Sequence, residues 1–225
     1  MRSEGKALEG FENQRLGRAF FARPGLQVAP ELLGCTVTHA GVTVRLTEVE
    51  AYDGSNDPGS HAFRGQTPRT QVMFGEPGGL YVYFTYGMHW CANLVCGSAG
   101  SASAVLMRAG EVVDGLEIAR TRRAGVIDRD LARGPARLTT TLALTRAHNG
   151  IDTMGTDSPL VLRGAGPGRP DGAKVCNGPR VGVSGPGGDA SLYPWRFWLE
   201  GEATVSVYRP GKVRPSKPAA GSADR

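Results

Sequence analysis

Val42-Thr43-Val44-Arg45-Leu46-Thr47-Glu48-Val49-Glu50 alternates apolar and polar side chains, and Ala40-Gly41 joins it to Cys35-Thr36-Val37-Thr38-His39. A period of two marks a strand with one face in a core. A two-residue turn between such runs makes a hairpin. Val42, Val44 and Leu46 form the apolar face, with Thr43, Arg45 and Thr47 opposite. Leu80–Tyr86, Trp90–Val95 and Ala104–Ala109 read as further strands. Arg180–Ser184, Trp195–Glu200 and Thr204–Tyr208 read as closing strands.

Helices are expected at Val28–Leu33, from Thr67-Pro68 to Phe74, at Leu116–Arg123 and after Gly134-Pro135, since proline fits a first helical turn. Asp53 to Gln66 and Gly164 to Gly172 read as loops. The pattern predicts an α+β fold: a single mixed domain over 15–209, with a curved antiparallel β-sheet flanked by short helices. The polar residues 1–14 and the apolar-poor tail 210–225 are expected to be disordered.

The chain has 225 residues, 40% of them hydrophobic, enough for a real core. Its 33 glycines and 15 prolines favour short elements joined by tight turns. The net charge is +5, and of 26 basic residues only Lys6, Lys174, Lys212 and Lys217 are lysines. Arginine's planar fork grips phosphate, so a polyanionic partner fits; a compositional bias toward Arg, Gly and Ala explains the excess equally well.

Cys35, Cys91, Cys96 and Cys176 contain no CxxC pair, so buried free thiols are expected rather than a zinc site or disulfides. No stretch reaches the ~20 apolar residues that span a bilayer, and no apolar signal core opens the chain. A reducing cytoplasm or nucleoid is the expected setting.

Chemistry concentrates between Glu48 and Arg108. Tyr81, Tyr83 and Tyr86 fall within six residues, and Tyr81 and Tyr83 share one face of the pleat. Tyrosine offers a stacking surface with a polar tip, which suits a flat heterocycle; a half-buried strand with wet hydroxyls explains them as well. A carboxylate beside an apolar pocket can hold and deprotonate a water, but spacing alone does not choose between Glu48 and Glu50. His61 lies in a polar loop and can exchange a proton near neutral pH. His39, His89 and His148 have no ligand spacing with it, so no metal is expected.

Thr47-Glu48-Val49-Glu50-Ala51-Tyr52, Ser60-His61-Ala62-Phe63-Arg64-Gly65, Thr67-Pro68-Arg69, Met73-Phe74 and Leu80-Tyr81-Val82-Tyr83-Phe84-Thr85-Tyr86-Gly87-Met88 follow in that order. Then come Cys91-Ala92-Asn93, Leu106-Met107-Arg108-Ala109, Gly134-Pro135, Pro179-Arg180-Val181-Gly182 and Pro194-Trp195-Arg196-Phe197. This series, from about residue 16 to 208, closely resembles the alkyladenine (3-methyladenine) DNA glycosylase family. The resemblance implies an enzyme that flips damaged purines out of duplex DNA and hydrolyses the base–sugar bond, because a purine inside a duplex cannot be attacked.

By that resemblance Glu50 holds the attacking water and Arg108 helps to position it. Tyr52, His61 and Tyr83 line the base pocket, Asn93 crowds out the exocyclic amine of normal guanine, and Tyr86 fills the gap left in the stack. No cofactor is implied, and a monomer acting on double-stranded DNA with damaged purines is expected. A lyase would need an amine nucleophile, and none of the four lysines falls in the cluster, so a monofunctional hydrolase is expected.

The chain departs from the family at Thr139-Thr140-Thr141, where members often have Cys and then Gln, and in the glycine-rich loop Ser184–Pro194. Two other readings stay open on the residues alone. One is a nucleic-acid-binding module without hydrolysis, which has no use for Glu50; the other is a small-molecule hydrolase, which leaves Tyr86 without a task.

Overall fold

A computed structural model describes residues 14–85, 87–165 and 173–211. Tyr86, the segment 1–13, most of the Gly164–Gly172 loop and the tail from 212 lie outside the described residues. Two helices, α1 (Arg18–Phe21) and α2 (Gly25–Leu32), precede the hairpin of β1 (Thr36–His39) and β2 (Val42–Asp53). Next come β3 (Leu80–Thr85), β4 (His89–Cys96) and β5 (Ser103–Asp114). Helices α3 (Leu116–Arg122) and α4 (Pro135–Thr141) follow, then β6 (Val161–Arg163), β7 (Val175–Gly178) and β8 (Arg196–Leu199).

The strands form one eight-stranded sheet in the order β3-β4-β5-β2-β1-β6, with β8 joining β2 to β7. Every pairing between these strands is antiparallel. The α+β reading of the sequence therefore holds.

Strand β2 organises the sheet. Its first half pairs with β1 and its second half with β8, while β5 runs along its other side. The predicted alternation is real: Val42, Val44 and Leu46 are fully buried in the main core. It then changes parity, because beyond Leu46 the core residues are Val49 and Ala51.

The register explains the change. Leu46 opposes Gly110 and Glu48 opposes Ala109, so Thr47 is an extra residue on β2; Val49 then opposes Met107, so Arg108 is an extra residue on β5. Such bulges bend a strand and re-aim the side chains beyond them. A shift of one residue exchanges the two faces of a strand. Because of it, Glu48 and Glu50 leave the core side and share the opposite face.

Several boundaries differ from the sequence reading. Strand β2 runs on to Asp53 instead of ending at Glu50, which keeps Tyr52 on the same pleat as Glu50. Between Thr67 and Phe74 only a 3₁₀ turn forms, at Gln71–Phe74. The Thr67 hydroxyl accepts the Thr70 N–H, a local bond that competes with helix.

Arg180–Ser184 is not a strand. Gly182 takes a left-handed φ of 74°, which breaks extended backbone. Thr204–Tyr208 is not a strand either, because side chains take its backbone groups. The Ser206 N–H donates to Glu48 at 2.7 Å, and the Val205 carbonyl accepts from Arg133 at 2.9 Å. Helix α1 and the short strands β6 and β7 have no counterpart in the sequence reading; four residues or fewer carry too little periodicity to register.

Candidate active site

The far half of β2 delivers Glu50 and Tyr52 to a cavity of about 480 Å³, within the usual range for small-ligand sites. Asn93 on β4, and Leu106 and Arg108 on β5, line it beside them, because these strands follow β2 in the sheet. Tyr81 and Tyr83 on β3 form another wall. His61, Pro58 and Gly59 come from the loop after β2, and Val181 to Ser184 close the site from the segment before β8. Six of the seven residues singled out in the sequence (Glu50, Tyr52, His61, Tyr83, Asn93 and Arg108) thus meet in one cavity. The seventh, Tyr86, lies outside the described residues.

Glu50 is completely buried, yet its carboxylate has two hydrogen-bond donors and one ion-pair partner. The Val181 N–H donates to Oε1 at 2.7 Å, and Arg108 Nη1 lies 3.4 Å from the same oxygen. The Tyr52 hydroxyl donates to Oε2 at 2.9 Å. A buried carboxylate stays in a fold only with such partners.

Glu48, two residues earlier, is bound far more tightly. Its Oε1 accepts from Arg108 Nε at 2.8 Å, Arg196 Nε at 2.6 Å and the Ser206 hydroxyl at 2.9 Å, and Oε2 accepts the Ser206 N–H at 2.7 Å. Arg108 therefore spans both carboxylates. Burial works against its charge, but Glu50 and Glu48 outweigh that and raise its pKa. The geometry separates two acids that spacing could not: Glu48 is consumed by structure, whereas Glu50 opens onto the cavity.

The aromatic wall is ordered by edge and face contacts. Tyr81 and Tyr83 stack with centroids 5.5 Å apart and planes 25° from parallel, and the His61 ring meets Tyr83 edge-on at 4.6 Å. The Tyr81 hydroxyl lies 3.4 Å from His61 Nδ1. His61 is exposed at the rim, but the protein crowding it and the Arg69 cation lower its pKa to about 4, so it is neutral at physiological pH.

Burial, reinforced by Glu50, raises the Tyr52 phenol well above its ordinary value, and burial does the same to Tyr83. Both phenols therefore keep their protons, and Tyr52 donates its own to Glu50. Asn93 donates its side-chain amide to the Tyr81 carbonyl at 3.3 Å, which fixes its orientation at the cavity floor. Among the described residues no cluster of three or more His, Cys, Asp or Glu could hold a metal ion.

Residues 19–203 match the family described as methylpurine-DNA glycosylase (MPG). This chain belongs to that family. It is 56% identical over 200 residues to a Streptomyces avermitilis protein, covering 86% of this chain and 92% of the relative. It is 53% identical over 201 residues to one from Frankia casuarinae, covering 86% and 93%. Both relatives bear the name "Putative 3-methyladenine DNA glycosylase".

Within this methylpurine-DNA glycosylase family member, the structure adds residues that sequence reasoning passed over. The Val181 backbone N–H and the Glu48–Arg196–Ser206 group support the two sides of the Glu50–Arg108 pair. Behind Tyr52, the buried Arg180 pairs with Asp57. Arg180 and Val181 stood inside a family-like block, Pro179 to Gly182, but a backbone donor leaves no trace in a residue's identity. The long reach from Arg180 to Asp57 leaves none in local pattern.

Among the described residues no helix is long and apolar enough to cross a membrane. The family implies damaged DNA as substrate.

Proposed function

We propose that this protein is a monofunctional 3-methyladenine-type DNA glycosylase. It takes an alkylated or deaminated purine, swung out of duplex DNA, into the cavity and hydrolyses its bond to the sugar, initiating base excision repair. The observation that carries this reading is a buried carboxylate opening into a cavity walled by tyrosine rings, in a chain of the methylpurine-DNA glycosylase family.

Glu50 is the general base. Val181 and Arg108 occupy Oε1, while Oε2 has the single Tyr52 donor and keeps a lone pair for water. The water oxygen attacks C1′ of the flipped nucleotide as the C1′–N bond breaks. The bonding electrons leave with the base, the water's proton passes to Glu50, and the sugar retains the new C1′ hydroxyl as an abasic site. Arg108 positions Glu50 and the water.

Tyr52, His61 and Tyr83 hold the purine. Alkylation leaves the base cationic, and such a base stacks on tyrosine faces with about 0.5–2 kcal/mol per contact. A neutral His61 adds no like charge against it. Asn93 excludes the exocyclic amine of undamaged guanine. Tyr86, directly after β3, fills the space vacated in the duplex. Exposed Arg69, over the Tyr83 ring at 5.8 Å, and Arg137, next to cavity-lining Ala136, suit phosphate. Among the described residues the cavity lining has three tyrosines, two histidines and one carboxylate but no lysine, which favours hydrolysis over Schiff-base chemistry. The working unit spans residues 15–209 and acts as a monomer on DNA in the cytoplasm or nucleoid.

The deciding experiment supplies duplexes, each with one defined lesion, and follows abasic-site formation under single-turnover conditions. Glu50→Gln should bind damaged duplex as the parent does and release base only at a trace residual rate; unchanged release refutes the assignment. Tyr86→Ser should weaken capture in duplex more than in single strands, and equal losses count against the wedge.

A further inference from the structure

Arg180 is 1% exposed and does not line the cavity, yet it touches Tyr52 and immediately precedes Val181, the two residues that hydrogen-bond Glu50. Its Nη1 donates to Asp57 at 2.5 Å and to the Ala51 carbonyl at 3.0 Å; its Nη2 donates to Asp57 at 2.6 Å and to the Gly187 carbonyl at 2.8 Å. Its Cζ lies 4.6 Å from the Tyr52 ring centroid, 5.3 Å from that of Trp195 and 5.7 Å from that of Tyr193. Asp57 in turn accepts the Gly59 N–H at 2.8 Å and the Asp53 N–H at 3.3 Å.

Three of these links lead to the surroundings of Glu50. The Ala51 carbonyl lies between Glu50 and Tyr52 in the chain. The face of Arg180 rests on Tyr52, whose hydroxyl donates to Glu50 Oε2. The residue after Arg180 is Val181, whose N–H donates to Glu50 Oε1. Asp57 anchors the turn that leads through Pro58 and Gly59, both cavity residues, to His61. Asp57 compensates the charge of Arg180, so the pair is neutral as a unit, as a buried ion pair must be.

We infer that Arg180, clamped by Asp57, is a positioning residue for base excision: it sets the Val181 N–H and the Tyr52 hydroxyl that aim the Glu50 carboxylate at water. This rests on the reading of Glu50 as the general base. A planar five-donor guanidinium meets both carbonyls, both Asp57 oxygens and an aromatic face together, which a lysine ammonium cannot. Misplacing a reacting group by about 1 Å can cost on the order of 100-fold in rate.

The test measures single-turnover base release, lesion-duplex binding and thermal melting for Arg180→Lys, Asp57→Asn, Glu50→Gln and the double variant Arg180→Lys/Glu50→Gln. Single-turnover rate constants report only folded enzyme, so a lowered folded fraction does not obscure them. Expected are binding within about threefold of the parent and release slowed roughly 10- to 100-fold in both Arg180→Lys and Asp57→Asn. In the Glu50→Gln background, Arg180→Lys should slow the residual reaction no further. Parental rates in Arg180→Lys and Asp57→Asn, with only lower melting temperatures, would overturn the inference in favour of a purely structural clamp. A further slowing in the Glu50→Gln background would also overturn it, since Arg180 would then act elsewhere. Fast release by Glu50→Gln itself would instead bring down the general-base reading.

Discussion

Two isosteric substitutions two residues apart should give opposite outcomes. Glu48 and Glu50 lie on the same face of β2, both fully buried, both paired with Arg108. Glu48→Gln leaves Arg108 and Arg196 facing an amide where a carboxylate accepted four hydrogen bonds. The buried group Glu48, Glu50, Arg108 and Arg196 then changes from neutral to +1. Removing one partner of a buried ion pair costs about 3–5 kcal/mol. At about 2–4 °C per kcal/mol for a chain of this size, the melting temperature should fall by roughly 6–20 °C.

Glu50→Gln takes the same group to +1, but it breaks no charged hydrogen bond to arginine, only one long ion pair at 3.4 Å, and leaves an amide oxygen for the Val181 N–H. That loss should be nearer 1–2 kcal/mol, or roughly 2–8 °C. Thermal melts of the three proteins, followed by circular dichroism beside single-turnover base release, read both effects. Glu48→Gln should be the less stable and Glu50→Gln the inactive one, although the folded fraction of Glu48→Gln should still release base. Equal losses of stability, or a larger loss in Glu50→Gln, would show that the division of labour between the two carboxylates has been misread.

The His61 imidazole, titrated by NMR, should show a midpoint near 4, and a midpoint near 6.5 would refute its crowding at the cavity rim. Its folded pKa lies below the unfolded value of 6.5, so the unfolded chain gains a proton first as pH falls. Its contribution to stability is therefore lost as pH falls from about 6.5 to about 4, and His61→Asn should flatten that part of the melting profile. Burial raises the Cys91 thiol to about 11, so iodoacetamide at pH 8 should modify half-buried Cys176 first and spare Cys91 in the native protein. Peptide mapping that finds Cys91 modified early would show the cavity floor to be open.

Much of this molecule was legible in the chain itself. Period-two alternation announced β1 and β2, the tyrosine run announced β3, and Pro135 after Gly134 announced the start of α4. Those signals are local: each depends on neighbours one to four residues away. The ordered series of motifs named the family and gathered six of the cavity residues, because residue types survive in a sequence even when their contacts do not.

Tertiary structure alone decided which of two carboxylates meets the cavity. The bulge at Thr47, created by the mutual register of β2 and β5, turns both carboxylates away from the core, and Arg196 and Ser206, about 150 residues further along the chain, then engage Glu48 and leave Glu50 at the cavity. It decided the support of Glu50 as well. The Val181 N–H comes from 131 residues away, and Arg180 reaches Asp57 across 123. Contacts at such separations depend on the whole sheet closing the distance, and a backbone N–H belongs to every residue but proline. The sequence thus settled which chemical groups were present; the folded chain settled which of them face one another.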